Sequence, residues 1–465
     1  MGSTSQEQEE KPAAELARMM INVLVISVAF TFLFTAYQST ANLQSSINTD
    51  AGLGTASLST IYVALILSCI FVPTWMISKL GVKWTMPVCM LGYGVYIGAQ
   101  FYPEFYTLIP AAIVVGLVAA PMWSAKCTYL TQVGTVRAKA LGTSAEVQVT
   151  RLFGIFFLLF QCSQVIGNLI SSTVLSSGYV PPIDPEDPNL PLCGARFCPW
   201  EDHGGSSGGN RPSDEKIYTL FGIYLGCALI AAAIIAAFVD PLTRFGERTG
   251  SGTGISGFRL LLATGKHLKD KRQLLLIPLT VFSGLEQGYI GADFTQSFVT
   301  CAYGVQNVGY VMICFGVCDA VFSLVFGELI KIVGRIPIFT LGAAINIAMI
   351  CTMFFWKPMP DEPAVFFVIA GFWGVSDAVW QTQMNALYGN LFQNNEEAAF
   401  SNYRLWESLG FAVAYAYSTF LCTDAKMWVL VGVLILGMAG YYGVEFIEKR
   451  SKQEQQRLKS SNLQQ

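Results

Sequence analysis

Asp377, Gln381 and Asn385 lie four residues apart, so on a helix they share one face, with Tyr388 close to the same line. Trp373 and Trp380 flank that stripe inside the apolar run GFWGVSDAVWQTQMNALYG. The next apolar run carries Arg404 and Glu407, three apart and again on one face. Earlier in the chain, Glu286, Tyr289, Asp293 and Gln296 form an acidic stripe, and Asp319 sits midway along the run that follows. A charge at bilayer depth costs roughly 2.5–3.5 kcal/mol, so it is kept only with a partner or beside a wet cavity. Two chemistries fit these residues. Carboxyls and amides facing a cavity bind protons, cations or a polar solute. Gln38, Glu286, Asp293, Asp319, Asp377, Gln381 and Asn385 are the candidate cavity or ion- and substrate-binding residues. The alternative is structural pairing, for which Arg404 and Glu407 are the candidate buried ion pair.

A membrane is needed to hold such residues, and the composition supplies one. The 465 residues are 53% hydrophobic and 13% charged, with a mean hydropathy of +0.48. Apolar runs of about 20 residues recur along the whole chain, each long enough to cross a hydrocarbon core. Twelve such spans lie between residues 20 and 448, which predicts an all-α membrane protein with two six-helix bundles related by pseudo-symmetry. The expected organisation is a polar, disordered tail over 1–19, a first bundle over 20–240 with a long outer loop at 176–216, a linker over 241–272, a second bundle over 273–448 and a tail over 449–465. Most of the 28 Lys and Arg fall in the tails and the even-numbered connections, which places both termini in the cytoplasm. Gly81 and Gly334 sit in equivalent short loops. The same offset relates Arg151-Leu152-Phe153 to Arg404-Leu405-Trp406, as an internal duplication requires.

The first span carries Ser27, Thr31, Thr35, Gln38 and Asn42 on one face. That face reads as a cavity wall or, more blandly, as small polar residues packing between helices. Lys126, about a turn and a half from a cytoplasmic end, reads most simply as a snorkelling lysine, and more sharply as a partner for an acid in the other half. Ten of the 12 cysteines lie in or at the ends of spans. Cys193 and Cys198, in the loop sequence CGARFC, are the candidate disulfide, on the oxidising side of the membrane. Cys301 and Cys422 fall at outer ends of spans, where a second pairing is open.

Several function classes drop out. The net charge is −3 and no basic stripe is interleaved with aromatics, so no nucleic-acid partner is expected. The Gly-rich SGTGISG at 251–257 lacks the Gly-Lys-Ser/Thr ending of a phosphate loop. His203 and His267 are the two histidines, both in loops, and no nucleophile elbow or metal-spaced cluster appears. The chain reads as a non-enzyme without metal or cofactor. The first apolar run is of full span length with an acidic flank, so no cleavable leader is expected.

A twelve-span, two-half layout resembles the major facilitator superfamily. Gly327…Gly334-Arg335 is a degenerate form of its loop motif, with Lys331 where that family has an acid. Longer strings carry a closer resemblance: LGTASLSTIYVALILS, FYTLIPAAIVVGLVAAPMWSAKCTYL, FGIFFLLFQCSQVIGNLISS, VGYVMICFG and EEAAFSNYRLWESLGF are similar to the uncoordinated-93 (unc-93) family, homolog A type. The resemblance implies a multi-pass plasma-membrane protein that acts as a regulatory or accessory subunit of a potassium channel. The founding member is known as a subunit of a two-pore channel. The alternative is a proton- or cation-coupled secondary transporter of a small solute through a central cavity. The partners expected are the lipid bilayer and a channel or other membrane protein, with any small-molecule substrate unspecified.

Overall fold

The computed structural model describes residues 3–143, 145–178, 190–200, 212–245, 266, 268–392 and 396–462. The described chain is helical, in twelve long helices. The first is α1, Ser3–Ile47. The stretch Leu53–Ala99 breaks at Gly81 into α2 (53–80) and α3 (82–99). Next come α4, Phe105–Leu141, α5, Ala145–Leu175, and α6, Asp214–Phe238. The second half holds α7, Lys271–Gly288, continuing as a π-helix over Tyr289–Thr300 and closing at Cys301–Tyr303. It is completed by α8, Val308–Val333, α9, Arg335–Phe355, α10, Pro363–Leu391, α11, Glu396–Tyr417, and α12, Thr423–Asn462.

Among the described residues, ten stretches are long and apolar enough to cross a membrane by length and composition alone. The two helices outside that count have local reasons. α3 is short and carries Lys83 with Gly92, Gly94 and Gly98, and α11 carries Glu396, Glu397, Arg404 and Glu407.

Local signals set the ends. Glu104 and Thr107 form a reciprocal cap at the start of α4. Pro363 occupies the first turn of α10, where its missing N–H costs nothing. Gly81 (φ 73°, ψ 165°) and Gly334 (φ 81°, ψ 177°) take the same left-handed extended geometry at equivalent turns. A side chain at either would be strained, so the shared backbone supports the duplication seen in the sequence.

The terminal segments differ from expectation. α1 begins at Ser3 and α12 runs to Asn462, so both polar ends continue their helices. A formed transmembrane helix removes the nucleation cost, and residues such as Ala13, Ala14 and Leu16 then propagate it outward. Residues 179–189, 201–211, 246–265 and 267, including His203, His267 and SGTGISG, lie outside the described residues, as do the side chains of Glu328 and Lys331.

The bundle has a tail end, where α1 starts and α12 stops, and a loop end, which carries residues 190–200. Hydrogen bonds join the halves toward the loop end. Thr300 donates to Ser46 at 2.8 Å, Ser59 to the Ala412 carbonyl at 3.0 Å, and the Tyr310 N–H to Ser172 at 3.0 Å. Tyr62 stacks on Phe411 with centroids 4.5 Å apart. Toward the tail end the space between the halves is open enough to leave Arg404 61% exposed.

Candidate functional site

Glu286 on α7, Asp319 on α8 and Asp377 on α10 are all buried. The Glu286 and Asp377 carboxyls lie close enough to act on each other directly. Asp319 adds its charge from α8, and Glu407 from α11. The Trp373 indole N–H donates to Glu286 Oε2. Glu286 Oε1 has no hydrogen-bond partner. Gln381 donates to Asp377 Oδ1 at 3.4 Å and to Ser283 at 3.3 Å, which ties the α10 stripe to α7. Asn385 donates one turn back to the Gln381 carbonyl and stands at the edge of the cluster. Tyr388 bonds Thr280 and Gln273, closing the same face toward the tail end.

Four carboxyls therefore share one region with a single guanidinium. Burying an ion costs several kcal/mol unless something offsets its charge. The cluster is stable when protons or a bound cation balance the excess. Among the described residues no three His, Cys, Asp or Glu side chains are grouped to hold a metal ion. Protons remain the simplest balancing charge.

Arg404 and Glu407 pair as the sequence suggested, with Nη1 and Oε2 2.6 Å apart, and Tyr403 donates to Glu407 Oε1 at 3.1 Å. The burial is one-sided. Glu407 is enclosed, but the Arg404 side chain is 61% exposed and faces the open space toward Cys69, Cys127 and Lys126 of the first half. The expectation of a buried pair is corrected to that extent. A long arginine can reach from a buried anion into a wet opening.

Asp293 belongs elsewhere. It lies in the π-helical part of α7, two turns toward the loop end, and Lys426 Nζ sits 2.7 Å from its Oδ1. Ser418 donates to the same oxygen at 2.6 Å, and Lys426 also donates to the Ser418 carbonyl. This is a buried ion pair apart from the carboxyl cluster, and Asp293 Oδ2 has no hydrogen-bond partner. Gln38 lies in the first half, accepting from Ser163 at 2.8 Å. The seven candidate residues thus divide into a cluster (Glu286, Asp319, Asp377, Gln381, with Asn385 at its edge), a separate ion pair at Asp293, and an α1–α5 bond at Gln38.

Lys126 does not snorkel. It is 1% exposed, with Trp123, Phe153, Phe156 and Phe157 around its ammonium at 4.3–5.0 Å from ring centroids. The ring faces supply the charge complement that water would give.

The disulfides are also repaired. Cys193 bonds Cys301 and Cys198 bonds Cys422, so the proposed Cys193–Cys198 bridge is not formed. The intervening Gly194–Arg196 turn is 3-10 helical, and the segment lies across the second half. The Thr423 N–H donates to the Phe197 carbonyl at 2.9 Å, and Gly194 rests against Pro358 and Phe298. Each cysteine meets the helix end beneath it, α7 or α12.

Sequence reasoning missed Lys426, which sits at the rim of a span and reads as a loop charge. Its signal was Asp293, an acid in need of a base at the same depth. It also missed Trp373 as a donor, since an indole in an apolar run looks like packing.

Comparison with known proteins adds the lineage. The family profile described as "Ion channel regulatory protein UNC-93" matches residues 43–441. The chain is 48% identical over 428 residues to "Protein unc-93 homolog A" of Xenopus laevis, covering 92% of this chain and 93% of that one. It is 36% identical over 452 residues to the "Putative potassium channel regulatory protein unc-93" of Caenorhabditis elegans, covering 96% of this chain and 63% of that one. Among solved structures, the fold is similar to the nucleoside transporter NupG (TM-score 0.60, 13% identity, 90% of this chain and 98% of that one). It is also similar to a D-xylose-proton symporter (TM-score 0.59, 12% identity, 91% and 96%). At such identities the likeness speaks to fold: both are two-half transporters of the major facilitator type.

Proposed function

The chain belongs to the UNC-93 family of ion channel regulatory proteins, and on that premise we propose that it is a plasma-membrane protein that regulates a potassium channel as an accessory subunit. The observation that carries the reading is the likeness, over 96% of this chain, to the C. elegans potassium channel regulator. The surface suits a membrane partner. Phe355 on α9 and Ile435, Leu436 and Phe446 on α12 project outward, where lipid or another protein's helix would cover them. The Lys- and Arg-rich tail end is taken as cytoplasmic, and the disulfide-bonded loop end as extracellular. No catalytic chemistry is assigned. The test is surface cross-linking of the full chain in cells, followed by identification of co-purified channels. Recovery of a potassium channel supports the reading, and its absence under conditions that recover other neighbours counts against it.

One observation favours a second reading, that of a proton-coupled carrier of a small solute. Glu286, Asp319 and Asp377 form a buried carboxyl cluster inside a two-half fold open toward the tail end. Uptake into proteoliposomes under an imposed proton gradient, with Asp377→Asn as control, tests it. Carriage and channel regulation are compatible in one protein.

A further inference from the structure

One cavity lies apart from the carboxyl cluster. It lies at the loop end, measures about 670 Å³, and is walled by both halves and the disulfide-bonded segment together. We propose that it binds a neutral polyhydroxylated group of mono- or disaccharide size, and that this ligand holds the two halves together at the loop end.

The lining argues for that class. Ser45 and Asn48 of α1 and Thr55 of α2 face Gln296 of α7 and Thr419 beyond α11. Hydroxyls and amides both donate and accept, which matches a ligand rich in hydroxyls. The described residues that line it carry no charge, so they offer an ionic ligand no counter-charge. Ser45 bonds Thr295, Asn48 bonds Gln44 and Gln100, and Thr55 bonds the Gly52 carbonyl, so Thr49, Gln296 and Thr419 are the lining groups that a purely apolar ligand would strip of water. Trp200, 58% exposed, and Phe420 stand at the cavity's edge. Their flat faces suit the C–H face of a sugar ring. The volume falls within the range of small-molecule sites.

Two further features mark the place. Ala51, on the wall, has φ 47°, the one positive φ outside glycine among the described residues. Backbone held in that region is costly and clusters at binding sites. Next to it, Gly52 (φ 69°) lies so close to Thr419 that an added Cβ would stand 1.9 Å from its methyl carbon. The two halves touch here, so a molecule in the cavity bridges them. The Cys198–Cys422 bond anchors the segment that brings Pro199 and Trp200 over the site. The site stands independently of the channel-regulator reading.

The hydroxyl-rich group has two possible sources, a free sugar or the headgroup of a glycolipid. Isothermal titration of the purified full chain in nanodiscs with D-glucose and maltose tests the site, in discs with and without glucosylceramide. The expected result is saturable binding with a dissociation constant of about 1–10 mM for at least one sugar. Binding should weaken at least about tenfold in Trp200→Ala and in Phe420→Ala, which alter exposed side chains, and stay unchanged in Trp428→Ala. Loss of sugar binding only in the glucosylceramide discs assigns the site to a headgroup, and equal binding in both assigns it to a free sugar. No binding of either sugar in plain discs, or binding untouched by both edge variants, overturns the proposal.

Discussion

Lys426 Nζ lies 2.7 Å from Asp293 Oδ1, and both side chains are 1% exposed. The pair locks the start of α12 to the π-helical part of α7, with Ser418 of the α11 end completing the bonds. Removing one partner leaves the other charged, buried and unpaired. Asp293→Asn or Lys426→Met should each lose about 3–5 kcal/mol of stability, and the double variant should recover most of it. Thermal unfolding in detergent, with surface labelling in cells, reads the cycle. Additive losses would contradict a pair.

The carboxyl cluster behaves in the opposite sense. Asp377 faces Glu286 and has no basic partner among the described residues, so Asp377→Asn removes repulsion and breaks no ion pair. Its unfolding temperature should equal or exceed that of the parent. Trp373→Phe deletes the donor to Glu286 Oε2 and should cost about 1–3 kcal/mol. A destabilised Asp377→Asn would mean that a basic partner for Asp377 exists.

Peptide mapping without reduction should return the pairs Cys193–Cys301 and Cys198–Cys422. Breaking either by a cysteine-to-serine change should cost about 2–4 kcal/mol. Recovery of Cys193 joined to Cys198 would contradict the strap across the second half.

Lys126 sits in a ring of aromatic faces, and among the described residues no carboxylate pairs with it. Lys126→Met keeps the volume and removes the buried charge, so it should change stability by less than about 1 kcal/mol or improve it. Lys126→Ala leaves a cavity and should cost about 2–4 kcal/mol. The same thermal-unfolding assay separates the two.

The helices were legible because each span must satisfy its own backbone in lipid, which writes long apolar runs into the sequence. The duplication was legible from Gly81 and Gly334, whose shared turn geometry the structure bears out. The α10 stripe was legible because Asp377 and Gln381 obey helical spacing, and the structure joins them to Glu286 and Ser283. Partners contributed by other helices were not. Lys426 lies 133 residues from Asp293 in sequence, and only packing of α12 on α7 brings them together. The disulfides went the same way, since short spacing favoured Cys193 with Cys198 while the fold carries each to a different helix end. The loop-end cavity was invisible because its walls come from four separated stretches.

The most direct test of the central reading is electrical. Potassium current would be recorded from cells expressing the channel recovered by surface cross-linking, with and without this chain, at matched channel surface density. The account predicts a changed current per surface channel, retained in Asp377→Asn because the carboxyl cluster is not the channel-binding face. An unchanged current, with proton-driven solute uptake that Asp377→Asn abolishes, would contradict the regulator and leave a carrier.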